Sequence, residues 1–152
     1  MKPLRGLLLP AALLLAASAP AQGPPKLVLA LASFRDRPLH PRTYFYEHDG
    51  VAACRPLGAI EAVTLRVDTH PSLGAGGRLC AYASELENNQ SETRLWDLPG
   101  KREITDLPGL NTEAAEMEPS LSADGNWVVF SAWNRQGAPA GWNLFLYSLK
   151  ER

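Results

Sequence analysis

Three histidines and two cysteines are the side chains in this 152-residue sequence best suited to covalent or metal chemistry. His40, His48 and His70 have no ligand-like spacing, and two cysteines are too few for a four-thiolate zinc site. There is no Gly-x-Ser-x-Gly nucleophile turn and no His-Glu-x-x-His helix. The expectation is therefore a protein without catalytic residues, metal or cofactor. Recognition is the remaining chemistry. Arg35, Arg37 and Arg42 share one polar stretch, while Glu85, Glu87 and Glu92 share another. Trp133 and Arg135 are the residue types that anchor protein interfaces. The plainer alternative is solvated loops, with Trp133 and Trp142 bracing a hairpin.

The clearest signal for the elements that carry these residues is internal repetition. Pro71-Ser-Leu-Gly-Ala-Gly-Gly77 aligns with Pro119-Ser-Leu-Ser-Ala-Asp-Gly125 at an offset of 48, each followed by an apolar run. Leu95-Trp96-Asp97-Leu98 matches Leu146-Tyr147-Ser148-Leu149 at an offset of 51. Upstream, Leu27–Ser33 matches Arg78–Ser84 at 51, and Phe45-Tyr46-Glu47 falls on Leu95-Trp96-Asp97 at 50.

Each unit, at about 26–56, 69–105 and 117–152, reads as β-structure. A short strand (Pro71–Leu73, Pro119–Leu121) enters a Gly-Gly or Asp-Gly turn, which tolerates positive φ. A continuous apolar strand follows at Leu27–Ser33, Leu79–Ser84 and Trp127–Ala132, predicting cover on both faces. Tyr44–Tyr46, Arg94–Trp96 and Leu144–Tyr147 form a third strand, and Val51–Arg55 and Lys101–Thr105 a fourth. A helix at Thr112–Met117 is the one local alternative. The prediction is an all-β fold of antiparallel four-stranded blades of a β-propeller, about three of them. The first unit lacks a clear innermost strand, and the third stops before an outer one. Such an arc exposes sheet faces, so the reading expects a partial ring, or one completed by a homodimer or by another chain.

Blade geometry puts the loops 34–42, 85–92 and 133–141 on one rim, with the linkers 57–68 and 106–118. The candidate partner-binding rim is therefore Arg35, Arg37, Arg42, Glu85, Glu87, Trp133 and Arg135. Tyr46, Trp96 and Tyr147 recur once per unit, a periodicity that inter-blade packing explains better than ligand stacking. Cys80 occupies the slot of Leu29 and Val128, which predicts a buried apolar role. Export permits a Cys54–Cys80 disulfide, although an inner and an outer strand of successive blades should lie apart.

Residues 1–21 combine Lys2 and Arg5 with an apolar stretch and an Ala19-Pro20-Ala21 cleavage pattern, which reads as a signal peptide cut before Gln22. Residues 22–152 then form the repeat domain. Loss of Lys2 and Arg5 leaves 13 basic against 16 acidic residues, a net charge of −3. That balance suits neither nucleic acid nor an anionic lipid surface. No later segment has the about 20 apolar residues of a membrane span.

The 119–132 segment, with the strand 144–149, resembles the TolB-type, WD-like propeller repeat: Pro-x-x-Ser-x-Asp-Gly, an apolar strand ending in Ser, a loop, and a closing apolar strand. The 71–98 copy has Gly74 and Gly76 where that pattern has Ser and Asp, and the 27–56 copy lacks the element. The resemblance implies an exported, non-enzymatic scaffold in the periplasm or outside the cell, docking a protein or peptide, as TolB partners a peptidoglycan-associated lipoprotein. Two other readings are a remnant or accessory propeller of a prolyl-oligopeptidase-like or tricorn-like peptidase, and a purely structural β-domain. At this length the expectation is that no hydrolase domain is attached, so that the peptidase reading needs a remnant or a separate subunit.

Overall fold

A computed structural model describes residues 27–35, 40–48, 54–60, 66–86 and 90–150. The expected signal peptide, Arg37 and Glu87 lie outside these residues. The described chain folds into three antiparallel sheets. The first is β1 (Leu27–Ser33), β2 (Arg42–His48) and β3 (Arg55–Ala59). The central sheet is β4 (Val67–Gly74), β5 (Leu79–Glu85), β6 (Ser91–Asp97) and β7 (Arg102–Ile104). The third is β8 (Ala115–Leu121), β9 (Trp127–Trp133) and β10 (Trp142–Ser148). Among the described residues each sheet is a simple meander, of three strands in the first and third and of four in the central one.

The sheets stack face to face through two apolar seams. Phe45 and Ile60 meet Cys80 and Tyr82 between the first and central sheets. Ala81 and Leu95 meet Val128, Phe130 and Ala132 between the central and third, with Leu110, Leu121 and Leu149 closing that seam. The small Ala81 admits the larger side chains opposite, and interiors of this density tolerate few voids. Cys80 is fully buried, and burial pushes its thiol up to about 12. Cys54 is exposed, and both cysteines are free, so the permitted disulfide is not made.

Cover on both faces holds for β5 alone among the three apolar strands. β9 alternates: Val128, Phe130 and Ala132 are buried while Trp127, Val129 and Trp133 are exposed. Leu27, Leu29 and Leu31 of β1 are likewise exposed. An apolar run reports what a strand is built to bury, and an end sheet has a neighbour on one side only.

Other boundaries also shift. The inner strands begin four residues earlier than predicted, at Val67 and Ala115. Each carries a β-bulge just before its proline, with positive φ at His70 (50°) and Glu118 (52°), and these residues are 48 apart. The bulge hides the strand from a period-two reading. The described strand in this part of the first unit is Arg55–Ala59, while residues 51–53 of the predicted Val51–Arg55 lie outside the described residues. The Thr112–Met117 helix does not form: residues 115–117 enter β8, and Thr112 turns back on Glu116 through its N–H (3.0 Å) and Oγ1 (2.6 Å).

The turns also join the sheets. Gly77 (φ 81°) and Gly125 (φ 71°) occupy equivalent positions. A Cβ on Gly77 would lie 2.8 Å from Val28 Cβ, and one on Gly125 2.6 Å from Ala75 Cβ. Each turn therefore seats on the preceding sheet. The Ala75 N–H donates to the Ala123 carbonyl (3.0 Å) and the Leu121 N–H to Ser72 Oγ (2.9 Å), tying the third sheet to the central one.

Candidate functional site

The described residues flanking the β1–β2, β5–β6 and β9–β10 connections lie along one edge with the starts of β4 and β8, which pair with the ends of β5 and β9. Hydrogen bonds lace this rim together. The Asp68 N–H donates to the Pro41 carbonyl (3.1 Å), Gln90 Nε2 to the Glu113 carbonyl (2.9 Å) and Ser91 Oγ to the Glu116 carbonyl (2.8 Å). Asn111 exchanges two bonds with the Thr93 backbone, at 2.9 and 2.8 Å.

Arg135 is tied into this rim by acceptors of its own chain. Its guanidinium donates to the Leu110 carbonyl (2.8 Å), to the Gly109 carbonyl, and to Glu116 Oε1 (3.4 Å). It also lies over the rings of Phe130 and Phe145, 5.2 and 4.9 Å from their centroids. A type-based reading ranks arginine as an interface anchor; here the acceptors are this chain's own linker.

Trp133 stays exposed and packs on Trp142, ring centroids 5.5 Å apart and planes at 60°. The pair braces the hairpin and still presents indole surface outward. Arg35 donates from Nη1 to Tyr46 Oη (2.8 Å) and lies 4.6 Å over the Tyr44 ring. Arg42 opens β2 opposite Ser33, and Glu85 ends β5 in an exposed position. Glu92 pairs with Arg94 (2.5 Å), which also engages Glu103. The rim thus carries Arg35, Arg42, Glu85, Trp133 and Arg135. The recurrent aromatics divide: Trp96 packs against the first seam, and Tyr147 against the second, with its hydroxyl donating to the Pro108 carbonyl (3.2 Å).

Two carboxyls at equivalent positions lie beneath the rim. Asp68 and Glu116, 48 residues apart, are buried at the second residue of β4 and β8. Ser84 Oγ donates to Asp68 Oδ1 (2.9 Å), whereas Asp68 Oδ2 and Glu116 Oε2 have no hydrogen-bond partner among the described residues. Burial raises the pKa of Asp68 against the opposing pull of Ser84 and Arg66. Glu116 is likewise raised by burial, against Thr112 and Arg135. A raised carboxyl pKa means that the folded state holds the proton more tightly. The stability associated with Asp68 is then greatest below its ordinary value near 3.8 and declines as pH rises toward the folded-state value. We expect Asp68→Asn, which keeps an acceptor for Ser84, to gain stability relative to the parent as pH rises from 4 to 8. Paired urea titrations across that range check this, and a difference flat with pH would refute it.

A further feature escaped the sequence reading. Phe45, Leu57, Trp96, Leu98 and Lys101 line a cleft of about 470 Å³ between the first and central sheets. It opens beside the Leu98–Lys101 turn, at the end of β6 remote from the rim. Leu57, an apolar residue in a stretch read as linker, was the available signal. Among the described residues no group of His, Cys, Asp and Glu is arranged to hold a metal, and no helix is long and apolar enough to cross a membrane.

No family model matches the chain, and no curated protein matches it in sequence. Solved structures do match. A TolB protein from Agrobacterium tumefaciens aligns with 81% of this chain at TM-score 0.56 and 15% identity, the alignment covering 39% of that protein. TolB from Acinetobacter baumannii aligns with 83% of this chain and 31% of its own length, at 18% identity and TM-score 0.46. The chain thus spans less than half the length of these solved proteins, and at such identity the likeness to the Agrobacterium structure concerns the fold. Three stacked antiparallel meanders, joined edge to edge by their turns and linkers, make this chain an all-β partial propeller of TolB-like architecture.

Proposed function

We propose that the chain is an exported, non-enzymatic propeller-repeat module that binds a protein or peptide along its loop rim, as a scaffold in the cell envelope. The observation that carries this reading is the exposed Trp133–Trp142 pair on a rim that Arg135 and its hydrogen bonds hold fixed. A rigid aromatic surface loses little entropy when covered, which favours recognition. Export is supported by the basic, apolar and small-residue pattern of residues 1–21. The mechanism is docking without bond making.

The test is to recover the processed protein from an envelope fraction, read its N-terminus by mass spectrometry, and use it to capture a partner. Trp133→Ala is expected to weaken capture about tenfold, the effect of losing 1–2 kcal/mol at an interface anchor. Capture indifferent to Trp133→Ala removes the rim from the reading. Peptide turnover by the purified protein, abolished by a serine-directed inhibitor, would instead favour the accessory-peptidase alternative.

A further inference from the structure

The two ends of the sheet stack expose complementary apolar faces. On the third sheet, Trp127 and Val129 of β9 and Leu144 and Leu146 of β10 point away from the central sheet, and Leu144 and Leu146 are 77% and 63% exposed. On the first sheet, Leu27, Leu29 and Leu31 point away from it, at 54%, 36% and 42%. Apolar side chains so grouped on one sheet face mark an interaction surface.

The repeat identifies what each face fits. At an offset of 48, Val129 is the counterpart of Ala81, and at 51 Leu146 is the counterpart of Leu95. Ala81 and Leu95 are the central sheet's contribution to the second seam. The outer face of the third sheet is thus the face that elsewhere receives a following sheet. At an offset of 51, Leu29 and Leu31 are the counterparts of Cys80 and Tyr82, which meet the preceding sheet in the first seam. The outer face of the first sheet is the face that elsewhere receives a preceding one. Both halves of a seam built twice among the described residues are therefore exposed on the outer faces of the first and third sheets.

We infer that two copies of this chain associate head to tail, the third sheet of each seating on the first sheet of the other. The contact is heterologous: the two faces differ, and two such seams close the pair. The inference does not depend on partner binding at the rim, since Leu29 and Leu146 are not rim residues.

The test is the mass in solution by light scattering, for the parent chain and for Leu146→Glu and Leu29→Lys, with circular dichroism verifying that each variant keeps its β-structure. The parent is expected at twice the mass of one chain and each variant at one. Mixing the two variants is expected to restore the double mass, because one seam is then intact and the other pairs Glu with Lys. A parent that remains at single mass at every concentration overturns the inference, as do assemblies larger than two. A Leu29→Lys variant that stays paired while Leu146→Glu does not would also overturn it, since that pattern belongs to a contact between two third sheets.

Discussion

Arg135→Ala lowers the unfolding free energy by about 3–5 kcal/mol, the effect of leaving a buried charge without its partner. Glu116 is fully buried, and Arg135 is the basic group that faces it. The substitution also strips the Gly109 and Leu110 carbonyls of their donor and bares the rings of Phe130 and Phe145. Arg135→Lys falls between, because one ammonium cannot reproduce a planar fork spanning two carbonyls and a carboxylate. Glu116→Gln retains an acceptor for Thr112 and removes the buried charge, so the double variant should lose less than the sum of the singles. Urea denaturation of the four proteins measures this cycle. Full stability in Arg135→Ala combined with lost capture would instead show Arg135 acting as a partner contact.

Gly74→Ser restores the residue that the repeat pattern has at this point, as at Ser122, and nevertheless destabilises by about 1–3 kcal/mol, the range for overfilling a packed seam. The backbone at Gly74 is ordinary extended chain, so the barrier is one of space. A Cβ there would stand 2.6 Å from the Ser122 carbonyl oxygen and 2.9 Å from Leu121 Cβ. In the third sheet, Ser122 has room to bond Asp124 Oδ1 (2.6 Å) and to accept the N–H groups of Asn126 and Trp127. The Ser122 hydroxyl, with the Asn126 N–H (3.1 Å to Oδ1) and Nδ2, donates to the Asp124 carboxyl and holds it down to about 2. The central sheet gives up this network because the third sheet lies across it. A thermal midpoint for Gly74→Ser at or above the parent's would show that the seam gives way at no cost.

Much of the architecture is legible in the residues. The offsets of 48 and 51 mark a repetition that the three described antiparallel sheets share, and Gly77 and Gly125 mark the turns. Cys80 reads correctly as buried because it stands where Val128 stands. These features are local, or recur at a fixed spacing, so the chain states them more than once. The bulges at His70 and Glu118 recur too, but as a backbone twist they leave no alternation to read.

What the tertiary structure alone decided is the use made of each side chain. What Arg135 bonds within its own chain depends on where residues 109–116 return, contacts 19 to 26 positions away. Whether position 74 takes Ser or Gly depends on a carbonyl 48 residues downstream. Whether an apolar strand is covered on one face or two depends on its place in the stack. Sequence records the propensity of a surface to be buried; only packing determines what, if anything, lies against it.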